Sequence, residues 1–446
     1  MPRKATKRRA QPSSPADRSS SPAVQPPASY AAPRASSPKA PKRIKNENEF
    51  APAPDLRASE EEGVLLSVGQ GDVGQLGLGE DVLEKSRPAV IPHFSDIVGI
   101  AAGGMHNVCL TKSGKLLSFG CNDEGALGRD TSKEGSESLP GFVQLPEKAV
   151  QISAGDSHSA ALLHDGRVFA WGSFRDSHGT MGLTSGGNER TPVEILPNVK
   201  VVKIASGSDH LVMLTEKGHV YTCGCAEQGQ LGRICARSTD RYNRHGIKPL
   251  LTPGLVSFHA SKNLKFQDIW AGSCCTFAKE YHRGDVYVCG LNNYHQIGLN
   301  SPEPHFYPKV SKTFGGRAWR HISSGLHHTV ALDETGQVYV LGRKEYGRLG
   351  LGPDCSDVKE LTPVPVLQPF KCLDIATGSA QSFAVTDAGD LYAWGMGSNG
   401  QLGTGDEEDA EVPTLVVGKQ LKEKKVLRVA GGGQHTLILA VPSSSK

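Results

Sequence analysis

A glycine that closes a short apolar run recurs at Gly69, Gly120, Gly172, Gly224, Gly290, Gly342 and Gly395, at steps of 51, 52, 52, 66, 52 and 53 residues. Seven similar units of about 50 residues constrain the chain to a repeat architecture, because each unit must bury its apolar face against the next. The copies share three parts. The first is a Gly-x-x-His slot, as in Gly103–His106 and Gly155–His158. The second is an apolar run, a turn with Gly and another apolar run: Ala161-Leu162-Leu163, Asp165-Gly166, then Val168–Gly172. The third is a loop ending in Gly-Gln-Leu-Gly or a relative, as in Gly74–Gly77 and Gly400–Gly403. Two apolar runs about such a turn predict a β-hairpin.

The distance from slot to strand-end glycine is 14 residues from His106, His158, His210, His328 and Gln381, and 15 from Cys275. A fixed hairpin register requires this constancy. Several short strands per copy, seven times over, predict an all-β fold: a seven-bladed β-propeller over residues 61–446. The run Val64–Val68 lacks an earlier slot, and the slot at His435 is followed by one last run, Thr436–Ala440. These two orphans are expected to pair, closing the ring and removing its edges.

Residues 1–60 differ in kind. They are rich in Pro, Ser and Ala and nearly free of large apolar residues, so they predict a disordered tail. Residues 1–50 carry a net +8 and the remainder −5. The positive charge is grouped, at Arg3, Lys4, Lys7, Arg8 and Arg9 and again at Lys42, Arg43 and Lys45. Grouping suits nuclear import and phosphate contact, and a solubilising tail is the plainer reading. No apolar run is long enough to span a membrane, and the N-terminus lacks the core of a signal peptide. The ten cysteines are expected to stay reduced, and their spacing matches no zinc site.

Two copies break the ruler. From strand-end glycine to Leu-Gly glycine the count is 8 residues in six copies and 10 in the third, Gly172 to Gly182. The extra residues predict a projection on one face. Ser173, Phe174, Arg175 and Asp176 offer an apolar body beside opposite charges, suited to insertion into a partner, or else a tolerated surface insertion. The fourth copy carries an excess after Gly232. Residues 233–248 hold five Lys/Arg against one Asp, with Arg237, Arg241 and Arg244 spaced along it. Such a loop suits an acidic surface or phosphates, and otherwise is merely solvated. The slot histidines recur because the repeat recurs, which gives them a structural hydrogen-bonding role; seven axial positions do not form a tetrahedral metal site. No nucleophile–base pair, P-loop or zinc motif supports covalent chemistry, a metal or a cofactor, so the chain does not read as an enzyme.

Together these residues resemble the regulator of chromosome condensation family, exchange factors for the small GTPase Ran. The likeness covers residues 60–440 and is carried by Gly69–Gly77, Ser173–Asp176, Cys225–Arg233, Tyr294-His295-Gln296, Glu345–Gly350 and Gly433–His435. The resemblance implies nucleotide exchange on Ran by one propeller face and nucleosome contact by the other. By position, the Ran-facing set is Asp72, His106, Asp156, Asp209, Arg233, His295, His328 and His435. The Ser173–Asp176 projection matches the family's wedge into the GTPase. Arg237, Arg241 and Arg244 match the segment that docks on the histone acidic patch. The tail matches one that contacts DNA and nuclear import receptors, which implies a chromatin-bound nuclear protein. The alternative is a propeller of the same repeat that acts as an interaction scaffold without exchange activity.

Overall fold

The computed structural model describes residues 59, 61–242, 245–258 and 264–443. The basic tail residues and Arg244 lie outside the described set. Each predicted hairpin forms: His158–Leu163 pairs antiparallel with Val168–Gly172 across the Asp165-Gly166 turn. Ala149–Ala154 joins on the inner side and Glu189–Glu194 on the outer, giving a four-stranded blade. Burial follows the radius. Every residue of His158–Leu163 is buried, whereas no residue of Glu189–Glu194 is.

Seven such blades occur among the described residues, two of them joined by a single parallel bridge, Gly272 to Ser324. Their innermost strands are Ile97–Ala102, Ala149–Ala154, Val201–Ser206, Phe266–Gly272, Trp319–Ser324, Cys372–Thr377 and Lys424–Gly431. Each packs on the next, and the last packs on the first around a central channel of about 190 Å³. The first and last strands share a blade: Val64–Gln70 pairs with His435–Pro442, from Val64 opposite Ala440 to Gly69 opposite His435.

The ruler glycine has a geometric cause. All seven hold φ between 91° and 116°, a region that L side chains rarely adopt. A Cβ at Gly172 would lie 2.3 Å from the Ser157 carbonyl oxygen, which accepts from the Ser173 amide at 2.8 Å. The strand ends by folding back onto the slot of its own blade, and only glycine leaves room.

Side chains join the blades. Trp171 lies in an apolar cluster drawn from two adjacent blades, and its indole N–H donates to the Ala126 carbonyl at 2.8 Å. Polar residues at the inner-strand bulges reach across as well. Gln151 brackets the backbone of Ile204 with both amide atoms, and Lys203 pairs with Asp268, both buried. Such a buried pair adds little net stability, because desolvating both charges offsets their attraction.

Candidate functional site

Antiparallel order places the slot turns and the loops between third and fourth strands on one face of the ring. That face collects the sequence candidates, in three different situations.

The slot histidines stand behind the surface. His106, His158, His210, His328 and His435 are buried, and their Nε2 atoms reach the next blade: Ser159 at 2.8 Å, Ser206 at 3.1 Å, Thr276 at 3.0 Å, Ser382 at 2.9 Å and Asn107 at 2.9 Å. Four of these partners pass the contact on, donating to loop carbonyls: Ser159 to Ala126, Thr276 to Gln230, Ser382 to Arg348 and Asn107 to Gln75. Burial lowers the imidazole pKa to about 4 at His106 and about 3 at the other four, so all are neutral near pH 7. His106, His328 and His435 are therefore interblade joints in this structure and offer no side chain for a partner to touch. Arg233 departs from its expected role in the same way. Its guanidinium donates to the carbonyls of Thr222, Pro249 and Thr252 at 3.0 Å each, closing the root of the fourth-copy loop.

The carboxylates do reach the face. Asp72 is exposed and accepts from Gln75 at 3.0 Å. Asp156 is exposed at the channel mouth. Asp209 is half-buried; its Oδ1 accepts from the Arg175 amide at 2.8 Å. Burial raises the Asp209 carboxyl to about 7, and the Asp156 charge pushes the same way. His295 is half-buried, with Nδ1 2.9 Å from the Leu299 carbonyl.

The third-copy insertion folds into its own hairpin, Phe174–Asp176 against Gly179–Gly182. Its root differs from expectation. Phe174 is 1 % exposed and packs against the His158 ring, centroids 4.6 Å apart and tilted by 56°, so it anchors the projection instead of forming its tip. Ser173 is buried, its hydroxyl donating to the Phe174 carbonyl at 2.9 Å. What projects is Arg175, Ser177, His178 and Thr180. Carboxylates hold the flanks: Glu124 meets Arg175 at 3.0 Å and Thr180 at 2.6 Å, and Glu227 accepts from the Ser177 amide at 3.0 Å.

The fourth-copy loop comes to the same place. Arg241 grips both carboxylate oxygens of Asp176, with Nε to Oδ2 at 2.7 Å, and donates to the carbonyls of Thr180 at 2.8 Å and Gly179 at 2.9 Å. This corrects two expectations. Arg241 is not a free cation for an acidic patch, and the loop's root serves the hairpin face, not the opposite one. Arg237 remains exposed. Sequence reasoning missed Glu124, Glu227 and Tyr242; the ring of Tyr242, 74 % exposed, meets His178 edge-on at 5.2 Å. Glu124 and Glu227 occupy adjacent offsets in their loops, four and three residues after a strand-end glycine, which the repeat alignment could have exposed as acids on either side of the insertion.

Comparison with known proteins gives a consistent result. A family model described as an RCC1-like domain matches residues 64–438. The regulator of chromosome condensation of Xenopus laevis is 51 % identical over 382 residues, 84 % of this chain and 89 % of that protein. The guanine nucleotide exchange factor SRM1 of Saccharomyces cerevisiae is 30 % identical over 428 residues, 83 % of this chain and 85 % of that protein. Among solved structures, Prp20p of Saccharomyces cerevisiae, studied for its binding to Gsp1p and histones, superposes with TM-score 0.79 at 29 % identity, covering 87 % of this chain and 94 % of that one. With that match running from the first blade strand to the last, the chain belongs to the regulator of chromosome condensation family.

Proposed function

We propose that the protein is a guanine nucleotide exchange factor for the small GTPase Ran, acting on chromatin in the nucleus. The observation that carries this reading is the hairpin Phe174–Gly182, a projection rooted in the blade core and braced on both flanks. A short hairpin on its own would be floppy in water. Braced, it can deliver binding energy to one place on a partner, and the carboxylates of Asp156 and Asp209 beside it, with Asp72 elsewhere on the same face, suit a basic surface.

The chemistry is linkage. A factor that binds nucleotide-free GTPase best must weaken nucleotide binding by the factor that nucleotide weakens its own. No covalent bond is made or broken. A projection pushed against the phosphate and magnesium sites lowers the barrier to release, and the nucleotide in excess refills the site. Chromatin attachment falls to the grouped charges of the tail and to Arg237 and Arg244. The tail charges also suit recognition by nuclear import receptors, and DNA contact through them would weaken with salt.

The test is release of fluorescent GDP from Ran in the presence of excess GTP. The expected result is release accelerated by catalytic amounts of the protein. Unchanged release would leave an interaction scaffold of the same fold as the reading.

A further inference from the structure

We propose that Arg241 is a positioning residue for exchange, and that the two departures from the repeat form one device: the fourth-copy loop clamps the third-copy hairpin through Arg241 and Asp176. This rests on the exchange reading above.

The chain separates these residues by 65 positions and one repeat, yet the contact is the most complete on the hairpin. The guanidinium spends its donors on Asp176 twice, on Thr180 and on Gly179, so it touches both hairpin strands. The side chain of Asp176 is 3 % exposed and that of Arg241 15 %, so solvent and partners are largely excluded from the pair. A planar fork on a carboxylate fixes direction as well as distance. The other braces do less. Asp209 and Glu227 each hold a backbone amide on one side, and Glu124 meets both strands but only through the exposed side chains of Arg175 and Thr180. Among these braces, only Arg241 ties a first-strand side chain to second-strand backbone. Its own support is the loop root that Arg233 closes on Pro249 and Thr252. The insertion in copy four is thus long enough to leave the blade, cross to the neighbouring projection and return.

A lever transmits force only if its base is stiff. Freeing the base leaves the partner contacts in place but spreads the tip over several positions, which lowers the turnover step and spares association.

Four variants test this: Arg241→Ala, Arg241→Lys, Asp176→Ala and the double alanine variant. Two readouts are used on the full chain. The first is GDP release from Ran over a range of Ran concentrations. Arg241→Ala is expected to lose about tenfold or more in kcat with KM within about twofold. Arg241→Lys should recover part of the loss, and the double variant should be no worse than Asp176→Ala, since both residues act through one contact. The second is amide hydrogen exchange over residues 175–182 in the free protein, which should speed up in Arg241→Ala while the blade strands keep their protection. Unchanged protection of the hairpin overturns the clamp whatever Ran does. Faster hairpin exchange with wild-type kcat overturns the positioning role. A wild-type protein inert on Ran would instead refute the exchange reading, and the hydrogen-exchange arm would still decide the clamp.

Discussion

At the residue scale, the slot shows what the repeat demands chemically. Five copies use a buried neutral histidine whose Nε2 reaches the next blade, and the copy with Gln381 does the same with an amide, donating to the Gly432 carbonyl at 2.8 Å. The requirement is a donor of that reach, not an imidazole. Substituting His210→Ala removes the ring and its hydrogen bond to Thr276, and should cost about 2–4 kcal/mol in urea unfolding near pH 7.5. His210→Gln should cost less and change the pH profile. With His210 lowered to about 3 in the fold and near 6.5 when unfolded, the unfolded state binds the extra proton between those values. Stability is therefore full above about pH 6.5 and falls as pH drops toward 3. The glutamine variant should lose one histidine's share of that slope, which unfolding at pH 5 and 7.5 will read. The recurrence of the histidine was legible in the sequence; its partner was not read there because it sits a repeat away, although in four of five cases it is the residue directly after the next copy's slot.

At the element scale, the insertion in copy three was legible as a count, 10 residues against 8, while its inside and outside were not. Phe174 looked like a tip residue because it is large and apolar beside charges. The fold turns it inward, because the strand-end glycine reverses the chain and drops the next side chains onto His158. The consequence is that Phe174→Ala is a stability variant, expected to lose about 3–5 kcal/mol in chemical denaturation. Deleting Ser177 and His178, which are exposed, restores the eight-residue spacing and leaves the root in place. That variant should keep its thermal midpoint within about 4 °C of the parent and lose exchange on Ran; retained exchange would remove the hairpin from the mechanism. The loop in copy four repeats the lesson. Its charge was visible, but its role depends on which carboxylate it meets, and Asp176 is supplied by another element.

At the scale of the whole molecule, the ring is held shut by one blade made from both ends of the described chain. Val64–Gln70 hydrogen-bonds His435–Pro442, so the strand that finishes last completes the blade that starts first. Truncation after Gly433 removes the whole of His435–Pro442, leaving Val64–Gln70 unpaired on that side and a row of buried apolar residues exposed. The shortened protein should lose its single cooperative melting transition, as followed by circular dichroism; a transition matching the parent's would refute the role of the closure. The same closure explains how distant blades share one stability, since every interface has two neighbours and no blade is terminal.

The sequence by itself determined the ring. Periodic glycine, a fixed slot-to-glycine count and two orphan strands are local facts of the backbone, and local backbone geometry is what residue spacing encodes. Tertiary structure alone decided which candidates face a partner. Burial took His106, His328 and His435 into the blade joints, carbonyls claimed Arg233, and Asp176 claimed Arg241. Those outcomes depend on what lies across from a side chain, and that neighbour comes from another copy of the repeat or, for Arg233, from the far end of its own inserted loop, a distance the one-dimensional pattern does not carry.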